Sequence, residues 1–545
     1  MNNILQTIKE SIESILKNFK INDDVIIFIS KLDDVDIQIN NLIKYKNHSS
    51  IKEIKNEILK SLNRFNYFKK VEFNEVGFLN IIFNLEILSK EINNESLEFK
   101  VVNPINILID YGGPNIGKPL HVGHMRTLNI GRSLYNMYKF SGHNVVSDLH
   151  LGDWGMPVAQ IITFINNHKV DIESLSSDDL QNIYPKASKE YSDNPSFKSA
   201  AQEINKLLNL NDVEVLNIWK SIKETSNKSL EKNFDLLGHQ FDYWYGESDV
   251  NDLIEPMIID LKNDKKIIED SGALISAEET EPKILITKSD GSYLYITTDL
   301  ATVLYRQENL PYSKALYVVD NRQSLHFDQL FKCIKFFGFN YLEHEHIAYG
   351  TLNDINGNPF KTRDGETKPL SELFEETFEH LKSINPSLEN EILHQLTNSV
   401  LTYSDLLTNR KTDYKFDMEK FTNITGKTGL YVQYAQVRAQ RLLSNFNENK
   451  FELSERLDTK EEQLLTQLFL FSYYLNQSIS MNEPHHLANY LYDISNLFNN
   501  FYEDEKILNI SDKSKLNNKL FTVNLFIKTS HHAMFCLGIN PVEKM

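Results

Sequence analysis

Tyr111-Gly-Gly-Pro-Asn-Ile-Gly-Lys-Pro-Leu-His-Val-Gly-His124 is the stretch on which the reading of the fold turns. An apolar extended run, Ile105-Asn-Ile-Leu-Ile-Asp110, precedes it, and a segment with helical spacing follows. A strand, a Gly/Pro turn and a helix in that order make a place for an anion. The first N–H groups of a helix have no intrahelical partner, and the helix dipole favours negative charge there. Histidines three apart, His121 and His124, are expected on one face of the first helical turn. Glycines at 117 and 123 let a flat ligand approach the backbone. Pro114, Gly117, His121, Gly123 and His124 are therefore the candidate nucleotide-binding residues, with both imidazoles aimed at phosphates.

Outward from that segment, strands and helices alternate from about 97 to 395. Val145–Leu151, Ser292–Thr297, Ala315–Val319 and His346–Gly350 read as strands, and Asp299 is expected to open a helix running through Arg306. Such alternation implies βαβ units and a parallel, Rossmann-like sheet, whose ligands bind beyond the carboxyl ends of the strands. His121, Asp299, Gln323 and the segment after Gly350 all follow predicted strands, so they are candidates for one crevice. Residues 172–233 are polar and helix-leaning, as an insertion would be. Residues 1–96 read as a small α/β domain. From 396 to 545 the strand signal fades and helical spacing takes over, predicting an all-α domain.

The bulk composition narrows the class. With 41% hydrophobic and 24% charged residues the chain is ordinary for a globular protein. Its two cysteines, Cys333 and Cys536, form no CxxC pair, so neither a structural metal nor a disulfide framework is expected. The N-terminus lacks the pattern of a secretory signal, and no apolar run reaches the ~18 residues of a membrane span, so a cytoplasmic protein is expected. A net charge of −18 argues against nucleic acid as a partner unless a local basic groove exists on an acidic body.

A second phosphate-binding element is expected in Phe360-Lys-Thr-Arg-Asp-Gly365, a polar loop with two cations. Lys361 would act as a point charge and Arg363 as a bidentate fork. A charged surface turn is the alternative for that loop taken alone. For Asp299 the alternative is a helix N-cap.

Taken together, several segments in order resemble the arginyl-tRNA synthetases, a family of class I, from about residue 75 to Met545. They are Asp110–His124, Leu151-Gly-Asp-Trp-Gly155, Tyr245-Gly-Glu-Ser248, Ser289–Asp299, Val318–His326, Lys361–Gly365, Asn409–Tyr414, Tyr431-Val-Gln-Tyr-Ala435 and Pro541–Met545. The resemblance implies ATP-dependent ligation of L-arginine to tRNA(Arg) through an arginyl-adenylate, for translation. It implies ATP with Mg2+ as the substrate complex, and a monomer. It implies that Glu247, Tyr295 and Asp299 hold the arginine side chain, and that Asp110, Asn115 and Gln323 hold its α-amino and carboxylate end. The Lys361 loop lacks the family's second lysine; in such members a lysine just before the His-x-Gly-His segment is thought to compensate, and Lys118 stands there. Tyr431, Tyr434 and Arg438, on one helical face, correspond to a region that approaches tRNA, although packing of the tyrosines is an equal alternative. Tyr111 and Trp154 would be either pocket walls or core. The rivals are another class I synthetase or small nucleotidyl transferase, and a catalytically dead paralogue that binds tRNA or a protein.

Overall fold

The computed structural model describes residues 2–30, 32, 34–91, 101, 103–277, 283–289, 293–339, 342–360, 368–446, 451–453 and 457–545. These residues form two compact units, 101–422 and a second unit that joins 1–100 with 423–545.

The unit 101–422 is built on strand β1 (Asn106–Tyr111), helix α1 (His124–Phe140), strand β2 (Asn144–Asp148), helices α2 (Glu247–Asn263) and α3 (Tyr295–Asn309), strand β3 (Lys314–Val318), helix α4 (Ser324–Phe337), strand β4 (Glu343–His346) and helix α5 (Asn390–Leu406). The four strands pair in the order β4-β3-β1-β2, all parallel. β1 is central, and its Ile107, Leu108 and Ile109 are fully buried. A parallel sheet covered on both faces demands such an unbroken apolar run. The insertion between β2 and α2 is helical, as expected, with helices Ser177–Asp193, Pro195–Asn209 and Val213–Leu237.

Three local expectations are corrected. The run 292–297 is not a strand: among its described residues Tyr293 makes one bridge to Thr287, and α3 begins at Tyr295. Asp299 accordingly lies one turn inside α3 rather than opening it, and the helix N-cap is Leu294. Its Tyr/Ile/Thr-rich start satisfies a strand pattern, but packing of Thr297, Leu300, Ala301 and Val303 into the core makes it helical. Strand β4 is Glu343–His346, ahead of the expected 346–350, of which only Tyr349 adds a bridge, to Asp320. Tyr111 is core: it is 1% exposed, its ring lies on Phe241 at 4.5 Å, and a Cβ on Gly131 would strike it.

The expected division at 395/396 falls inside α5. That helix belongs to the sheet unit because the buried Asp405 carboxylate accepts from Arg126 Nε at 2.9 Å and from Asn129 Nδ2 at 3.0 Å, both on α1. Thr402 adds a bond from Arg132. Breaking such a pair would leave a buried charge uncompensated, so the helix cannot part from α1 cheaply.

In the other unit, residues 28–83 contain a four-stranded antiparallel sheet packed by helices Asn2–Asn18 and Ile51–Leu62. Helices Gly429–Leu443, Thr459–Phe469, Phe471–Met481, His485–Asp504 and Lys513–Leu537 make the all-α part. The two parts were expected as separate domains, yet they share contacts: Thr466 Oγ1 donates to Asp36 Oδ1 at 3.2 Å, and Tyr473 donates to the Ile27 carbonyl at 3.3 Å. No described helix is long and apolar enough to cross a membrane.

Candidate active site

The His-x-Gly-His segment leaves β1 by a turn whose shape depends on glycine. Gly117 has φ +74°, and a Cβ there would meet Ile161 Cδ1 at 2.4 Å. Its N–H donates to Ser226 Oγ at 2.9 Å, so the insertion anchors the turn. His124 is the first residue of α1; His121 lies before the helix, in a backbone bridge to Pro369, instead of on the helical face expected. The two rings still meet, with centroids 3.9 Å apart. Gly123 makes room for this, since a Cβ would sit 2.9 Å from the His121 ring.

Backbone groups set the chemistry of both imidazoles. The His121 N–H donates to His124 Nδ1 at 3.0 Å, and the Gly123 N–H donates to His121 Nδ1 at 3.1 Å. An Nδ1 that accepts carries no proton, so each neutral ring holds its proton on Nε2 and presents a donor there. Burial pushes His124 down to about 3, with His121 and Lys118 adding to the shift. His121 is lowered by burial first, then by the charges of Lys118 and Arg322. Two uncharged donors among cations can cradle an anion.

Lys118 places its ammonium 4.2 Å over the Tyr184 ring of the insertion. Arg322 forms a fork with Asp320, Nε to Oδ1 and Nη2 to Oδ2, both 2.8 Å, and stays 81% exposed. It was not among the residues singled out from sequence; the signal was its place just beyond the carboxyl end of β3, beside Gln323. Lys361 and Arg363 lie outside the described residues. Of the flanking described residues, Lys368 N–H donates to the Phe360 carbonyl at 3.3 Å, Val122 N–H to the Lys368 carbonyl at 3.0 Å, and Leu370 N–H to the Leu120 carbonyl at 2.9 Å.

An acidic group lies beyond the same edge of the sheet. The helical start of α3 sets Tyr295 and Asp299 four residues apart on one face. Tyr295 is 78% exposed, and Asp299 Oδ2 lies 2.5 Å from His326 Nε2 of α4. Glu247 is the first residue of α2. Its carboxyl is pushed up to about 7, by burial first and then by the charges of Asp153 and Asp299. Two carboxylates that repel each other in a half-buried place have the chemistry to hold a cation. Asn115, in the turn after β1, is exposed and bridges Gly152; a Cβ on Gly152 would lie 2.0 Å from its Oδ1. Gln323 is exposed at the start of α4.

Asp110, read as a ligand for the amino acid, is tied elsewhere. Arg306 is 1% exposed, and its Nη2 bonds Asp110 Oδ2 at 2.7 Å and Asp148 Oδ2 at 2.6 Å. That buried guanidinium staples α3 beneath β1 and β2, and sequence reading passed it over as one helical residue among others. Trp154 donates to Asn209 at 2.9 Å and packs edge-on to Trp219, facing the insertion.

The chain matches known proteins along its length. The model for the catalytic domain of class I tRNA synthetases (R) matches residues 86–418. The arginyl tRNA synthetase N terminal domain matches 2–83, and the DALR anticodon binding domain matches 432–545. The arginine–tRNA ligase of Francisella tularensis subsp. novicida is 33% identical over 534 residues, covering 90% of each chain. The chain belongs to the arginyl-tRNA synthetase family. That of Alkaliphilus oremlandii is 32% identical over 531 residues with the same coverage. Two solved arginyl-tRNA synthetases share the fold at TM-score 0.82. That of Plasmodium falciparum is 24% identical over 100% of this chain and 99% of its own, and that of Thermus thermophilus 20% identical over 99% and 100%. As a member of the arginyl-tRNA synthetases the chain is an aminoacylating enzyme with ATP as a substrate.

In the helical part, the face carrying Tyr431, Tyr434 and Arg438 is half-buried and engaged internally. Tyr431 donates to Asn496 at 3.2 Å; Arg438 donates to Asn499 at 2.9 Å and lies 5.0 Å over the Tyr434 ring.

Proposed function

We propose that this chain ligates L-arginine to tRNA(Arg) through an arginyl-adenylate, using the crevice beyond the carboxyl ends of β1 and β3. The observation that carries the reading is the pairing of two opposite sites at one sheet edge. The neutral His121–His124 donors with Lys118 and Arg322 suit a triphosphate, and Glu247 with Asp299 suits a guanidinium. In the first step an arginine carboxylate oxygen attacks the α-phosphorus of ATP and pyrophosphate leaves. The Nε2–H donors of His121 and His124 take up charge on the phosphate oxygens, joined by Lys118, Lys361 and Arg363. In the second step a ribose hydroxyl of the terminal adenosine attacks the arginyl carbonyl and AMP leaves. Mg2+ travels with ATP as part of the substrate. No side chain need form a covalent bond; positioning and electrostatics suffice.

Pro114, Gly117 and Gly123 shape the ATP approach, while Asn115 and Gln323 meet the α-amino and carboxylate end of arginine, with Asp110 reaching it only through the oxygen that Arg306 leaves. Residues 432–545 bind the anticodon stem and loop and residues 2–83 the outer corner of the tRNA. Tyr431, Tyr434 and Arg438 contact tRNA by exchanging their internal bonds. The enzyme works as a cytoplasmic monomer, and adenylate formation requires bound tRNA(Arg). Pyrophosphate exchange at full rate without tRNA would refute that last requirement. The function itself is tested by charging total tRNA with each labelled amino acid, with and without ATP. Charging by arginine alone, dependent on ATP, is expected. Charging by another amino acid overturns the assignment of Glu247 and Asp299.

A further inference from the structure

The guanidinium site contains a side chain that no role above uses. His326 sits in the first turn of α4, and its Nε2 lies 2.5 Å from Asp299 Oδ2. The imidazole and Tyr295 both line one cavity of about 540 Å³, lined also by Gln329, Cys333 and Phe336 but not by Asp299 or Glu247 themselves. Asp299 is 36% exposed at its side chain and stands on a helix face with nothing covalent to fix its rotamer. An acidic side chain that must meet a planar guanidinium edge-on loses affinity when it is free to turn, because ordering it costs rotamer entropy at the moment of binding. A carboxylate offers acceptor sites on both oxygens. With Oδ2 held by His326, Oδ1 remains for the substrate.

We propose that His326 is a positioning residue for arginine: its Nε2–H holds Oδ2 of Asp299 so that Oδ1 faces the guanidinium site. This rests on the reading of Asp299 as the guanidinium partner. Glu247 supplies the second carboxylate, close enough to feel the charge of Asp299. The imidazole acts as donor whether neutral or charged, since the proton on Nε2 is present in both forms. Its affinity for the second proton is raised chiefly by the bond to Asp299. The alternative is that His326 stands where the guanidinium must go and is expelled when arginine binds. The two differ in sign, because removing a positioner weakens arginine and removing a competitor strengthens it.

The test is aminoacylation by the full-length enzyme at saturating ATP and tRNA, with arginine varied, for His326→Ala, His326→Gln and Asp299→Asn. His326→Ala should raise KM for arginine about tenfold with kcat held within about threefold, the loss expected for one hydrogen bond to a charged group felt equally in ground and transition states. His326→Gln, whose amide can donate to Oδ2, should recover most of that loss. Melting temperatures of all three variants within a few degrees of the parent exclude a folding effect, and if the alanine variant fails to fold the glutamine variant is compared with His326→Leu. Unchanged or lower KM in His326→Ala, beside a large rise in Asp299→Asn, overturns the proposal and leaves the Asp299 reading standing. Unchanged KM in Asp299→Asn overturns the reading on which it rests.

Discussion

The N–H of Val122, inside the His-x-Gly-His segment, donates to the carbonyl of Lys368 at 3.0 Å. The Leu120–Leu370 bond and the His121–Pro369 bridge extend the pairing, so residues 368–370 run along the histidine turn. Two segments more than 230 residues apart in sequence thus pair through their backbones.

On the proposed function, Lys118, Lys361 and Arg363 should act on ATP and not on arginine. Lys361→Ala, Arg363→Ala and Lys118→Ala are each expected to lower kcat/KM for ATP about 10- to 100-fold, the range for a lost charged contact to a phosphate. KM for arginine should stay within twofold to threefold. Steady-state kinetics with each substrate varied in turn checks this, and a selective rise in arginine KM for Lys118→Ala would place that lysine in the wrong subsite.

His124 is fixed as an uncharged Nε2 donor. His124→Ala should cut kcat at least about 100-fold, as loss of a preorganised donor does, while the Kd for tRNA is unchanged. Because burial takes its protonation down to about 3, no loss of activity between pH 5 and 8 should trace to this ring. Single-turnover rates of adenylate formation across that range, in parent and variant, measure both points.

Glu247 should carry the pH dependence instead. Its carboxyl titrates near 7, raised by burial and by Asp153 and Asp299, so it is charged above that pH and neutral below it. A guanidinium needs the charged form. Arginine KM should therefore rise as pH falls through 7, approaching tenfold per unit, and binding should release protons to the buffer. Calorimetry in buffers of different ionisation enthalpy reads the proton release. In Glu247→Gln the release and the acid rise in KM should shrink together, from a baseline of weaker binding.

Arg306→Met should destabilise the unit 101–422 by about 3–5 kcal/mol, since it strands the carboxylate of Asp148, 0% exposed, and frees that of Asp110. Urea unfolding followed by tryptophan fluorescence is the readout. A loss under about 1 kcal/mol would mean that water already compensates those carboxylates.

Much of this molecule could be read before any contact was known. The Tyr111–His124 stretch and the alternating pattern implied the parallel sheet, because apolar period and turn residues are local properties. Glu247, Tyr295 and Asp299 were named from a resemblance in their flanking motifs. The start of α3 was misread because Tyr, Ile and Thr favour strands and only burial of Thr297 and Leu300 decides for a helix. Arg306, Arg322 and His326 escaped notice for a related reason: each acquires its meaning from a partner 2 to 196 residues away, and a single charged residue gives no sign of which partner it will find.

By itself the chain determined the alternation of its elements, the turn after β1 with its glycines and the residue types of the proposed site, since these rest on local backbone preference and side-chain chemistry. The tertiary structure alone decided which tautomer the histidines hold, that α5 stays with the sheet through Asp405, that residues 1–100 pack with 423–545, and that His326 closes on Asp299. Those depend on burial and on distances between groups far apart in sequence, where removal of water makes each unpaired charge costly and so selects its neighbour.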